Sequence, residues 1–234
     1  MPKNSSVEEP KVLGETPPLS DKFSFEIEDN GKLYLVRLQG EFEGREISLF
    51  PNFIERQASS NLFKNNSCEF LINGGFYNEK NNPIGLFVSD NKQISEFRIN
   101  QLFNGIFSIN DFDTPRITRD VPQDRLKIAL QTGPLLVENS QNIILNSESQ
   151  NRGRRMILGV TGENKVIFIT IYEKNSVFDG PQLRELTRFL DRFEEESGIE
   201  LADAINLDGG TASAFITPEF SLSELSPMGS FFCI

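Results

Sequence analysis

The chain has 234 residues, enough for one large domain or two small ones, and 38% hydrophobic with 10% aromatic residues supplies a real core. A formal charge of −11 argues against a surface that tracks phosphate backbones, so nucleic acid is not an expected partner, although one anionic group in a local pocket is compatible with it. The complete lack of histidine removes Ser-His-Asp and Cys-His nucleophiles and most zinc sites, and leaves acid–base work to Asp, Glu, Tyr, Lys or Cys.

Residues 1–20 carry four of the twelve prolines, several Ser, Thr and Glu, and no periodic apolar face, so they read as a flexible tether ahead of a domain over 21–234. Such a leader is what remains where an export signal or lipid anchor has been removed, which would place the protein in the envelope or outside the cell; otherwise it is cytoplasmic. No signal pattern follows Met1, and the longest apolar run, near Val166 to Ile171, is far too short for a membrane span. Structure is expected from Phe23, where Phe23, Phe25 and Ile27 alternate with polar residues. Asn30-Gly31 then marks a hairpin into Tyr34, Val36 and Leu38, because both turn residues tolerate positive φ. Glu46 to Phe50 reads as a strand, and Phe53 to Phe63 as a short helix with Phe53, Ile54, Ala58 and Leu62 on one face.

Short strands follow at Glu69–Ile72, Ile84–Val88 and Phe103–Ile109, with a turn at Asp90-Asn91-Lys92. The charged, proline-interrupted stretch from Asp111 to Asp124 reads as a surface connection. Leu126–Leu130 leads through a Thr-Gly-Pro bend to Leu135–Val137. Met156–Val160 and Val166–Tyr172 form an antiparallel pair about Gly162-Glu163-Asn164-Lys165. One long helix is predicted over Gly180–Ser197, with Asp179 as N-cap, Pro181 in the first turn and Gly198 at its end. Leu183, Leu186, Leu190 and Phe193 make its apolar stripe. Many short strands with one good helix imply a single α+β domain of mixed or antiparallel curved sheets and a few packed helices. Cys68 and Cys233 are too few for a disulfide scaffold and read as two buried thiols, with one bridge in an oxidising compartment as the alternative.

Asn206-Leu207-Asp208-Gly209-Gly210-Thr211-Ala212-Ser213 places a carboxylate at a strand end, followed by backbone without side chains and by two hydroxyls on one face. Read alone, it is as readily a tight turn in which Asp208 accepts local backbone hydrogen bonds. Three further punctuated strand ends stand in order before it. They are Ile72-Asn73-Gly74-Gly75-Phe76-Tyr77 with Pro83-Ile84-Gly85-Leu86, then Gln131-Thr132-Gly133-Pro134, then Arg154-Arg155 ahead of Leu158-Gly159-Val160. Together with Leu183-Arg184-Glu185-Leu186, these motifs give a sequence that resembles the phosphodiester glycosidase family from Cys68 onward. Its bacterial branch, linked to exopolysaccharide and cell-envelope metabolism, is the nearer. The sequence departs from the family pattern after the Val166–Ile171 strand, where Tyr172-Glu173-Lys174 stands in place of Asp-Gly.

The resemblance implies a hydrolase that cleaves the glycosidic bond of a sugar-1-phosphodiester, with a sugar phosphate or glycan as partner. Such chemistry asks for a carboxylate at the oxocarbenium-like centre, assigned to Asp208, and a second carboxylate, for which Glu173 ranks ahead of Asp179. Phosphate is already a good leaving group, so a strong general acid matters less. Arg155, with Arg154 behind it, is expected to grip the phosphate, or else the two form a surface pair on an edge strand. Gly74, Gly75, Gly209 and Gly210 would add N–H donors as an anion nest. Asn73 would orient a sugar hydroxyl or simply form its turn, and Thr132, Thr211 and Ser213 complete the substrate-binding set. No cofactor is assigned; a divalent cation near Asp208 is left open, because no cluster has ligand spacing. The competing functions are a non-catalytic binding module for anionic glycans and a phosphodiesterase that cleaves P–O.

Overall fold

The computed structural model describes residues 22–146 and 149–234, so the tether expected over 1–20 lies outside the described residues. In chain order the first strands are β1 (Lys22–Asp29), β2 (Lys32–Phe42), β3 (Ser48–Pro51) and, after helix α1 (Ser59–Asn65), β4 (Leu71–Asn73). β5 (Phe87–Ser89), β6 (Lys92–Ser95), β7 (Gly105–Asn110), β8 (Pro115–Thr118) and β9 (Leu126–Thr132) follow. Then come β10 (Leu135–Glu138), β11 (Gln141–Asn142), β12 (Arg155–Thr161) and β13 (Val166–Glu173). Helix α2 (Leu186–Ser197) precedes β14 (Leu201–Asn206), β15 (Phe215–Ile216), β16 (Ser221–Leu222) and β17 (Ser230–Cys233).

The strands build three sheets, in the orders β1-β2-β13-β12-β14-β10-β11, β16-β15-β4-β17-β3 and β6-β5-β9-β7-β8. Every strand pair is antiparallel, which resolves the expected mixed or antiparallel α+β domain in favour of the second. The hairpin at Asn30-Gly31 forms as predicted, with φ of 51° and 72° at the two turn residues and Asp29 opposite Lys32. The β12–β13 pair also forms as predicted, Arg155 opposite Ile171 and Val160 opposite Val166.

Alternation along these strands divides the core. Met156, Leu158, Val160, Val166 and Phe168 point between the sheets, where Phe70, Phe107, Phe215 and Phe232 meet them. Ile157, Ile167, Ile169 and Ile171 point the other way, onto Leu186, Phe189, Leu190 and Phe193 of α2. Three strand and helix assignments and one cap shift. Helix α2 starts at Leu186, after a 3-10 turn at Leu183–Glu185, rather than at Gly180. The capping role expected of Asp179 goes to Gln182, which forms a capping box with Glu185 and donates its N–H to Glu185 Oε2 at 2.8 Å, while Asp179 accepts the Ser176 hydroxyl at 2.6 Å. The first helix begins at Ser59 instead of Phe53, and Ile54 is 88% exposed, so the apolar face read there does not exist. The stretch from Asp111 to Asp124 contains β8, because Pro115 and Ile117 alternate inward against β7.

The cysteines are corrected as well. Cys68 and Cys233 form a disulfide, with Cα atoms 5.3 Å apart and 165 residues between them in sequence. β17 lies between β4 and β3, with Cys233 opposite Leu71 and Ser48, which carries its thiol to the residue that precedes β4. No helix among the described residues is long and apolar enough to cross a membrane.

Candidate active site

At one end of the fold, the strand ends singled out in the sequence are tied to one another. Past Asn206 the chain stays beside β12: the Leu207 N–H donates to Met156 O at 2.8 Å and the Gly210 N–H to Arg154 O at 2.8 Å. It also reaches the second sheet, where the Asp208 N–H donates to Gly74 O at 3.1 Å. Asn73, at the end of β4, closes this junction from its side chain. Its Nδ2 donates to Asp208 O at 2.7 Å and Gly74 O at 3.1 Å, and its Oδ1 accepts the Ala214 N–H at 3.1 Å. From the end of β9 the Thr132 hydroxyl donates to Asn206 O at 2.9 Å, and Asn206 Nδ2 donates to Gly133 O at 3.0 Å. Asn73 and Thr132 are both buried and hold backbone, which is the turn-forming alternative for Asn73.

Glycine is required here by contact. A Cβ on Gly209 would lie 2.4 Å from Arg154 O, a backbone atom with nowhere to go. A Cβ on Gly74 would lie 2.3 Å from Ser230 Oγ. Gly209 thus passes the Arg154 backbone at a separation no side chain permits, while Gly210 is favoured by its φ of 63° instead.

Asp208 itself is half-buried, and burial pushes its carboxyl up from 3.8 to about 7, with the Gly209 N–H at 2.9 Å from Oδ1 opposing the shift. Tyr77 stands within electrostatic reach of it. Burial and then the Asp208 charge raise the Tyr77 phenol, and Arg56 opposes them. The Tyr77 hydroxyl donates to Pro227 O at 2.7 Å. One residue earlier, Ser226 donates its hydroxyl to Thr211 Oγ1 at 3.2 Å, while the Leu225 and Ser226 N–H groups hold Thr211 O. Segment 225–227 therefore ties Tyr77 to the Asp-Gly-Gly turn, and this neighbourhood of Asp208, Tyr77 and the exposed Thr211 is the candidate cleft. Phe76, the residue before Tyr77, meets Phe103 with ring centroids 4.6 Å apart and planes tilted by 36°.

Several residues expected at the site face elsewhere. The Arg154 guanidinium is fully buried and donates to Ser213 Oγ at 2.9 Å, Val177 O at 3.2 Å, Ser223 O at 3.1 Å and Ser213 O. Arg155 donates to Pro181 O at 2.8 Å and Asn151 O at 2.7 Å. Burial lowers both to about 10, yet each stays charged at neutral pH. Arg154 has no free guanidinium edge for a bidentate phosphate grip, and in Arg155 the Nε and Nη2 donors are taken by backbone carbonyls. Ser213 serves Arg154 and Gly210 O rather than the cleft. Of the four glycines expected to form a nest, Gly74, Gly209 and Gly210 already spend their N–H groups within the protein. The Gly74 N–H donates to Ser230 O, Gly209 to Asp208 Oδ1 and Gly210 to Arg154 O.

Glu173 does not meet Asp208. It ends β13, with β12 between it and β14, a lateral step of about 9.6 Å. Its carboxylate is directed to Lys32 of β2, with Oε2 2.5 Å from Nζ. Among the described residues no group of three or more Cys, Asp or Glu is gathered closely enough to hold a metal ion. Tyr77 and Ser226 are the cleft residues that sequence reasoning passed over. Tyr77 has a visible signal in its place directly after Asn-Gly-Gly-Phe, whereas nothing around Ser226 marks it.

The family model described as phosphodiester glycosidase matches residues 66–230. No curated protein matches the chain. Among solved structures, the zebrafish N-acetylglucosamine-1-phosphodiester alpha-N-acetylglucosaminidase catalytic domain, auto-inhibited by its pro-peptide, is similar with a TM-score of 0.71 at 16% identity. That alignment covers 91% of this chain and 81% of the other. A hypothetical protein from Synechocystis is similar with a TM-score of 0.66 at 14% identity, over 91% of this chain and 61% of that one.

Proposed function

The chain belongs to the phosphodiester glycosidase family, and we propose that it hydrolyses a sugar-1-phosphodiester at the glycosidic carbon–oxygen bond. One observation carries the reading: a carboxyl at a glycine-lined strand end, raised to about 7, with burial and a single N–H donor accounting for its shift. Ordinary glycosidases divide the work between two carboxyl groups, one protonating a poor leaving group and one facing the anomeric carbon. A phosphodiester leaves as a stable anion, so the first role falls away and a single carboxylate suffices. Asp208 takes the second role. Its ionised form stabilises positive charge as it develops at the anomeric carbon, and its partly water-excluded setting strengthens that attraction.

Tyr77 and Thr211 border the sugar, and Asn73 and Thr132 position Asp208 through the backbone they hold. Glu173, paired with Lys32, stands outside this chemistry. The zebrafish structure's name makes N-acetylglucosamine the first sugar to test. Exopolysaccharide or other envelope glycans are the substrate context expected of the family's bacterial branch. The experiment is release of free sugar from the methyl phosphodiester of N-acetylglucosamine-1-phosphate in oxygen-labelled water. Label in the sugar supports C–O cleavage; label in the phosphate shows a P–O phosphodiesterase. Binding without turnover would identify a glycan-binding module and end the hydrolase reading.

A further inference from the structure

The cleft around Asp208 needs a cation for the phosphate, and the two arginines beside the Asp-Gly-Gly turn have their guanidinium groups committed to backbone carbonyls. We propose that Arg56, which lies before the family-matched segment, is the phosphate-binding residue of this site and sets its preference for phosphodiesters over neutral glycosides. This inference rests on the glycosidase reading above.

Three observations lead to Arg56. The guanidinium lies over the Tyr77 ring, 5.7 Å from its centroid, and Tyr77 in turn faces Asp208. The side chain is held in that place by hydrogen bonds to two neutral acceptors, Asn81 Oδ1 from Nη1 and the Tyr77 hydroxyl, and no carboxylate pairs with it among the described residues. A guanidinium without a carboxylate partner keeps its charge and its remaining donors for an anion, whereas Arg154 is fully buried and both Arg154 and Arg155 are bound to backbone carbonyls.

The backbone adds the third observation. Arg56 has a φ of 47°, a left-handed conformation that a long side chain adopts only when its surroundings enforce it. The enforcement is visible. Asn52, 1% exposed, donates from Nδ2 to Gln57 O at 3.0 Å and Met228 O at 2.9 Å, and accepts the Gln57 N–H at 2.9 Å. Its carbonyl accepts the Arg56 N–H at 3.1 Å, and its own N–H donates to Gly229 O at 2.7 Å. A buried amide thus clasps a six-residue loop that holds Arg56 against Tyr77. Hydrophobic packing cannot explain that arginine, since neighbouring Ile54 is left in water.

The test uses Arg56→Gly, which removes the guanidinium and suits the positive φ, and Arg56→Lys, which keeps the charge without the fork. Each is measured on the methyl phosphodiester of N-acetylglucosamine-1-phosphate and on the neutral 4-nitrophenyl glycoside of the same sugar, with thermal melts alongside. For R56G, kcat/KM on the phosphodiester falls by about tenfold to a hundredfold, mainly through KM, while the neutral glycoside and the melting temperature are unchanged. R56K falls between. Calorimetric binding of inorganic phosphate weakens in the same order, and this readout stands even if the wild type hydrolyses neither compound, the result that would sink the glycosidase reading instead. Equal losses on both substrates, or no loss on the phosphodiester with unchanged phosphate binding, would overturn the assignment of Arg56.

Discussion

Replacing Asp208 by Asn removes a charge while keeping the acceptor for the Gly209 N–H. The carboxyl titrates at about 7 in the fold against 3.8 when unperturbed, so ionising it in place costs up to about 4 kcal/mol more than in the unfolded chain. Because solvent still reaches one side of the group, about half of that, roughly 2 kcal/mol, is the working figure. The sign follows from proton counts. Between about pH 4 and pH 7 the folded chain holds a proton that the unfolded chain has lost, so stability falls as pH rises through that window and levels off above it. The Asn variant lacks this slope. In urea denaturation it should be more stable than wild type by roughly 2 kcal/mol at pH 8, with the gap closing as pH approaches 4. Activity should move the opposite way, falling about a thousandfold or more because the charge at the anomeric carbon is gone. Wild-type kcat/KM should climb with pH to a plateau just above 7. A stability gap equal at pH 5 and pH 8 would refute the desolvation argument, and a rate that falls over the same range would make Asp208 a proton donor instead.

Glu173→Gln should leave sugar release within about threefold of wild type and lower stability by no more than about 1 kcal/mol, the worth of a partly exposed ion pair; a thousandfold loss would restore Glu173 to the chemistry. Gly209→Ala forces a methyl group onto Arg154 O and should cost about 1–3 kcal/mol or more in chemical denaturation together with most of the activity. Cys233→Ser opens a loop of 165 residues and should lower unfolding free energy by about 3–5 kcal/mol, read as a drop in melting temperature that reductant reproduces in the wild type.

Strand periodicity and turn chemistry are local, which is why the Asn30-Gly31 hairpin and the β12–β13 pair were legible in the sequence. The convergence of Asn73, Thr132 and Asp208 was legible for a different reason: glycines at strand ends mark close backbone approach, whatever the backbone approaches. The arginines were not, because a pair at a strand entry has the same sequence signature whether it faces a ligand or backbone carbonyls. Arg154 went inward to Ser213, Val177 and Ser223, partners no nearer than 23 residues in the chain. The pairing of Glu173 was hidden in the same way, since the Lys32 that holds it is 141 residues away. The cysteines were misread because their pairing depends on β17 entering the second sheet beside β4, a long-range register that spacing alone does not encode. Arg56 sits in a loop whose apolar residues imitate a helix, and only the clasp of Asn52 shows otherwise.

The position of β17 also bears on how the protein is made. β3 has β17 as its strand partner in the sheet, and the same strand supplies Ser230 O to the Gly74 N–H. During translation the β3 and β4 segments leave the ribosome long before residues 230–233, so the nascent chain carries incomplete strand edges for most of its synthesis. The arm that positions Asp208 then stays unlatched until residues 230–233 are out. A product that stops short of Ser230 would lack the strand that latches this arm and would leave β3 and β4 with open edges.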